Sequence, residues 1–382
     1  MKDHNSPEYT LIENDTDLRE LTVLLEKEPA IGVDLEADSM FHYQEKVCLI
    51  QISTRTLNLI VDPLSVNDLS ALAPVFAHRG IRKIFHGSDY DMRSLYRDFR
   101  IEVHSLFDTQ IAARFLGMRE TGLASLLYNQ FQVSSDKRYQ KKDWSKRPLP
   151  EPMLQYGVQD TCHLIPLAEI LEKKLMEKGR LFCVEEECEL LSMVRPNSAG
   201  NGSLFSTFKG AAGLDQRSLA VLEKILHLRD RLARQRDCPH FKVLGNRPIM
   251  EIAQMKPLTL ADLARVKELS SKTIDRMGQS IIKGVREGMD LPESMLPLFP
   301  KKPWHRLKPK EARRVKRLKI WRDRLGEEWG VDPSVISTNA QIEAIAVANP
   351  GRPQEMAGIK GIRRWQVRLF GHDICALLRE AG

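Results

Sequence analysis

An internal repeat constrains this chain more than any other feature. Adding 93 to a residue number carries one stretch of the C-terminal half onto another, without a gap, from about residue 228 to 287. Arg229-Asp230-Arg231-Leu232 lands on Arg322-Asp323-Arg324-Leu325, Asn246 on Asn339, Ile252-Ala253 on Ile345-Ala346, Pro257 on Pro350, Gly278 on Gly371 and Arg286-Glu287 on Arg379-Glu380. Apolar positions keep the same register: Leu263, Val266 and Leu269 match Met356, Ile359 and Ile362. Whatever this stretch folds into, the chain contains it twice. Leu219, Leu222, Ile225 and Leu226 recur at helical spacing, so each copy is predicted to be a bundle of four or five short helices, roughly 75 residues long.

Two segments rich in turn formers separate these copies from the rest. One is Arg195–Ser203; the other runs from Gly288 to Pro303 with Pro292, Pro297, Pro300 and Pro303, which cannot continue a helix. The expected domains are therefore 1–195, 211–290 and 304–382. The first alternates differently. Ala30–Glu36, Val47–Ser53 and Leu57–Asp62 have the apolar, β-branched character of strands and are expected to form an antiparallel meander. A helix over Asn67–His78, a strand over Arg82–His86, and helices starting near Asp89, Asp108, Leu123 and Glu151 follow. That order predicts an α/β domain, a mixed sheet flanked by helices, ahead of two all-α domains.

Charge divides along the same line. The formal net charge is +7, but residues 1–200 carry 24 Lys+Arg against 31 Asp+Glu, and residues 201–382 carry 34 against 20. An acidic half suits cations and a basic half suits a polyanion, although chance asymmetry is the plain alternative. No run approaches the ~18 apolar residues of a membrane helix, and the first eight residues lack the apolar stretch of a secretory signal. The six cysteines form no CxxC pair, which weakens zinc and disulfide readings and fits a reducing cytoplasm.

The acidic residues are placed with a pattern. Asp34 and Glu36 sit two apart on a strand, so both point to one face. Asp91 follows the fourth strand in His86-Gly87-Ser88-Asp89-Tyr90-Asp91. Tyr156 and Asp160 are four apart on a helix, hence on one side of it. Each alone has an ordinary reading as a strand end reaching solvent or a solvated helix acid. Together, Asp-x-Glu, a later Asp and Tyr-x-x-x-Asp resemble the tyrosine subclass of the DEDD superfamily of 3′→5′ exonucleases. Asp108–Ala113 and Asp143–Leu149 are further family-like segments, and the duplicated part resembles two HRDC domains. The whole arrangement resembles the ribonuclease D family, with a ribonuclease H-like exonuclease domain.

The resemblance implies a 3′→5′ exoribonuclease with two divalent ions, Mg²⁺ or Mn²⁺, that trims transfer-RNA precursors and other structured RNAs and releases nucleoside 5′-monophosphates. Two ions ~3.5–4 Å apart can activate a water and stabilise the leaving oxygen, and carboxylates suffice to hold magnesium. By the family pattern, Asp34 bridges both ions. Glu36 and Asp160 complete the site of the water-activating ion, Asp91 holds the second, and Tyr156 orients or deprotonates the water. Asp38 continues the strand alternation, and Asp89 competes with Asp91. Asp108 is expected to cap a helix. Gly157, between Tyr156 and Asp160, is expected to loosen their helix slightly.

Residues expected to touch a single-stranded 3′ end are His86, Lys137, Arg138, Lys141, Lys142 and Trp144, the last by stacking. For His86 a structural hydrogen bond is the competing reading, and for Trp144 it is packing on the domain. Residues 301–324 carry twelve basic residues against Glu311 and Asp323, and there Arg313, Arg314 and Arg317 are the expected RNA contacts. Two other functions remain open: a DNA exonuclease of the same superfamily, and a non-catalytic nucleic-acid-binding scaffold. No feature demands an oligomer, so a monomer is expected.

Overall fold

The computed structural model describes residues 7–134, 138–196, 202–300 and 307–380. The N-terminal domain is built on six strands: β1 (Thr10–Ile12), β2 (Ala30–Ala37), β3 (Val47–Ser53), β4 (Asn58–Val61), β5 (Arg82–Phe85) and β6 (Leu106–Asp108). Their order is β1-β4-β3-β2-β5-β6. The meander β2-β3-β4 is antiparallel as expected, while β1 joins β4, and β5 and β6 extend from β2, in parallel. The sheet is mixed. Every residue of β3 is buried, which is why its sequence runs apolar rather than alternating.

Among the described residues, eight helices accompany the sheet: α1 (Asp15–Leu25), α2 (Leu72–Ala77), α3 (Asp89–Phe99), α4 (Thr109–Phe115), α5 (Leu123–Phe131), α6 (Glu151–Thr161), α7 (Leu164–Glu177) and α8 (Leu181–Ser192). The helix expected over Asn67–His78 is shorter. Asp68 accepts from the Ser70 amide, a single 3₁₀ turn follows, and α2 begins only at Leu72. α6 lies against the sheet where its surface is small: Ser53 and Thr161 hydroxyls meet at 2.6 Å, and a Cβ on Gly32 would sit 3.0 Å from the Thr161 carbonyl oxygen.

The repeat is structural as well as sequential. The first module comprises α9 (Gln216–Gln235), α10 (His240–Val243), α11 (Asn246–Met255), α12 (Leu260–Leu263) and α13 (Ser271–Met289). The second comprises α14 (Pro309–Trp329), α15 (Pro333–Ile336), α16 (Asn339–Ala348), α17 (Pro353–Met356) and α18 (Arg364–Arg379). The start of every helix is displaced by the same 93 residues. Internal bonds repeat too: Arg229 donates to Asn246 Oδ1 at 2.7 Å, and Arg322 to Asn339 Oδ1 at 2.9 Å.

By packing, the chain forms two units. One contains the sheet domain and the second module, and the other contains the first module and residues 38–46. In the first unit, Trp365 is buried edge-on against Phe115, with centroids 5.5 Å apart. Arg180 donates to the carbonyls of Phe115 and Trp329 at 2.8 and 3.0 Å. Gly117 is also held close, since a Cβ there would run into the Gly330 carbonyl. In the second unit, Tyr43 donates to Asp230 at 2.7 Å and His42 meets Asp237 at 2.7 Å.

Candidate active site

β2 delivers Asp34 and Glu36 to one face, and α6 delivers Asp160 above that face. Carboxylate oxygens of Asp34, Glu36 and Asp160 lie within 4.8 Å of one another. They line a cavity of about 380 Å³ together with Tyr156 and His86. Asp91, in the first turn of α3, is 7% exposed. It does not complete the three-oxygen cluster, but its charge reaches both Asp34 and Glu36.

Crowded, buried carboxylates hold their protons. Burial first, then the charges of Asp160, Asp91 and Glu36, raise Asp34 well above the carboxylate range. Burial and the charges of Asp160 and Asp91 push Glu36 up to about 9. Asp91 rises to about 7, chiefly by burial. Asp160 rises to about 6 by burial, opposed by a hydrogen bond from Tyr156. Burial and the same acids raise Tyr156, so its phenol stays protonated at neutral pH. An all-oxygen cluster that resists ionisation when metal-free is the donor set a hard divalent cation fits.

The competing acids are engaged elsewhere. A register shift between Glu36 and Ala37 breaks the alternation before Asp38, whose carboxylate accepts from the Lys46 amide at 2.6 Å. Asp89 is paired with Arg93 at 2.7 Å. Asp108 caps α4 through the Gln110 and Ile111 amides, and also accepts from the Gly87 and Ser88 amides, tying down the turn before α3. His86 Nδ1 lies 2.9 Å from Thr109 Oγ1 while its ring lines the cavity.

One expected nucleic-acid contact is corrected. Trp144 is fully buried behind Tyr156, with ring centroids 6.2 Å apart, so no base can stack on it. Trp144 is instead part of a small apolar cluster with Cys48, Leu49, Ile60 and Leu154 that backs the tyrosine. Arg314 donates to the Ala346 carbonyl at 3.1 Å, closing the end of α16. Lys137 lies outside the described residues. Arg138, Lys141 and Lys142 are exposed. Arg313 is exposed, and Arg317 pairs with Glu380 at 3.3 Å.

Three features of the site are not legible in the sequence. Gln110, Gln140 and the start of α5 line the cavity, and ordinary polar residues in loops carry no periodic signal. Arg147 clamps Asp62 through two bonds of 2.6 Å and donates to the carbonyls of Trp144 and Cys48 at 2.8 Å. It thereby fixes the loop that backs Tyr156. Gly157, by its composition a weak point in α6, is where that helix passes over Gln51: a Cβ there would be 2.8 Å from Gln51 Nε2.

Comparison with known proteins agrees with this geometry. Residues 9–176 match the family model described as 3′-5′ exonuclease, and residues 218–285 and 311–378 each match that of the HRDC domain. The chain is thus a 3′-5′ exonuclease domain followed by two HRDC domains. It is 28% identical to ribonuclease D of Bartonella henselae over 97% of this chain and 90% of that one. The crystal structure of Escherichia coli RNase D superposes with a TM-score of 0.74 at 26% identity, covering 98% of this chain and 99% of that one. The catalytic core of RRP6 from Trypanosoma brucei follows with a TM-score of 0.63 at 31% identity, over 76% of this chain and 81% of that one. The chain belongs to the family of ribonuclease D homologues.

Proposed function

We propose that this protein is a metal-dependent 3′→5′ exoribonuclease that hydrolyses RNA from a single-stranded 3′ end and releases nucleoside 5′-monophosphates. The observation that carries the reading is the convergence of Asp34, Glu36 and Asp160 within 4.8 Å, in a cavity that Tyr156 also lines. RNA is the substrate class of the ribonuclease D relatives.

Two divalent ions, when bound, supply charge neutralisation at the phosphate and a more acidic attacking water. Asp34, Glu36 and Asp160 would hold them, with Asp91 as a further carboxylate beside the cluster. Tyr156 would orient the attacking water; without the ions, burial and the neighbouring acids keep its phenol neutral. Trp144 and the Arg147–Asp62 clamp keep that ring in place.

Exposed Arg138, Lys141 and Lys142, with Arg313 and other basic residues of α14, suit sequence-independent phosphate contacts. The substrates are transfer-RNA precursors and other structured RNAs. Support comes from the Escherichia coli relative, an exoribonuclease involved in structured RNA processing. A monomeric protein of the cytoplasm is the simplest setting, and six free cysteines suit a reducing compartment. Among the described residues, no helix is long and apolar enough to cross a membrane.

One assay decides among the readings. Purified protein is incubated with a 3′-tailed RNA and the matched DNA, with Mg²⁺, with Mn²⁺ and with chelator. Stepwise, metal-dependent shortening of RNA alone supports the proposal. Equal shortening of DNA replaces it with a DNA exonuclease, and binding without cleavage replaces it with a scaffold.

A further inference from the structure

Gln51 is a glutamine in a place where a glutamine is costly. It lies in β3, a strand buried at every position, and is itself fully buried. Neither its amide nitrogen nor its amide oxygen has a hydrogen-bond partner among the described residues. A buried polar group left unpaired costs ~1–3 kcal/mol. An apolar side chain of the same size would fill this space without that cost.

Its neighbours indicate what the cost secures. Gln51 pairs directly across the sheet with Asp34, and directly opposed residues share a face with Cβ atoms ~4.5–5.5 Å apart. On its other side Gln51 meets α6 at Gly157, with room only because residue 157 has no Cβ. Gly157 lies between Tyr156 and Asp160 on the helix that supplies half of the site. The orphaned amide is therefore wedged between the strand that presents Asp34 and the helix that presents Asp160. It is the sort of outer partner that orients a ligating carboxylate.

We infer that Gln51 is a positioning residue for the metal centre: its amide, unpaired without the ions, takes up a hydrogen bond to Asp34 or to the Asp160-bearing turn of α6 when they bind, and so fixes the arrangement that receives them. This rests on the two-metal reading above, and the test separates the two. Mn²⁺ binding is measured by calorimetry, without RNA, on wild type and on Gln51→Met, which keeps the volume and removes the amide. The variant is expected to bind Mn²⁺ ~10- to 100-fold more weakly, while its metal-free melting temperature is unchanged or higher. Equal Mn²⁺ affinity, whatever the melting temperature, overturns the inference and makes Gln51 a packing residue. Wild type that binds no Mn²⁺ overturns the metal reading instead. Should Gln51→Met not fold, selective nitrogen labelling of glutamine in wild type decides. Mg²⁺ is expected to shift the Gln51 side-chain amide resonances and slow their exchange, and an unmoved signal would falsify the role.

Discussion

The two HRDC modules share a frame and differ in what completes it. In the first, α13 is capped from within: the Ser270 hydroxyl accepts from the Thr273 amide. The corresponding position before α18 is Arg363, whose amide donates to Gln366 at 2.9 Å, and the first amides of the helix are capped from another domain. Glu186 of α8 accepts from the Arg364 and Trp365 amides at 2.6 and 2.8 Å, and Glu187 accepts from the Trp365 indole at 2.9 Å. Where the second module has Trp365, the first has exposed Lys272. Interior positions are kept because both copies solve the same packing problem. At each crossing a glycine meets the short helix, and a Cβ would come within 2.7 Å of Leu260 Cδ2 at Gly278 and within 2.8 Å of Pro353 Cβ at Gly371. A handful of surface residues then decides whether a module closes on itself or joins the catalytic unit.

The largest test asks whether chemistry is confined to the acid pocket. Asp34→Asn or Asp160→Asn should abolish RNA shortening with folding intact by circular dichroism, whereas Arg229→Ala and Arg322→Ala should both retain cleavage. Residual stepwise activity in Asp34→Asn would remove the metal assignment.

Next in size is docking. Trp365→Ala should cost ~3–5 kcal/mol of the catalytic unit's stability in urea unfolding, and Lys272→Ala no more than ~0.5 kcal/mol. Equal losses would mean that both modules use this position alike. The caps give a smaller version of the same contrast: Ser270→Ala should cost ~1 kcal/mol, and Glu186→Ala ~1–3 kcal/mol through the two amides it leaves unpaired.

Two gentler effects concern charge. Metal-free stability should fall as pH rises from about 4.5 towards 9. Glu36 keeps its proton in the folded protein up to about 9, whereas the unfolded chain releases it near 4.5. Added Mg²⁺ should flatten that slope, as thermal melts with and without chelator would register. Reversing Lys310, Arg313 and Lys316 to Glu should lower the salt dependence of RNA binding, by a slope of ~0.7 per lost phosphate contact. An unchanged slope would assign α14 an ordinary solvated face.

Much of the molecule is legible in the sequence because it follows local rules. The antiparallel meander, the helix starts at Asp89 and Leu123, and the cap at Asp108 all depend on short-range alternation and turn chemistry. β1 and β6 escape because three residues are too few to show a period. Trp144 misleads because a basic segment around an aromatic reads as a binding loop, and only the Arg147–Asp62 clamp reveals that it folds inward.

The sequence by itself determined the repeat, the helical modules, the mixed-sheet domain and the spacing that puts Asp34 with Glu36 and Tyr156 with Asp160. These are periodic or local, and a strand or helix can have only one pitch. Tertiary structure decided which acids meet. It also decided that the second module shares a unit with the sheet domain while the first does not, and that a buried glutamine pairs across the sheet with Asp34. Those outcomes depend on register, on a bulge after Glu36 and on close approach at Gly157, none of which any single segment encodes.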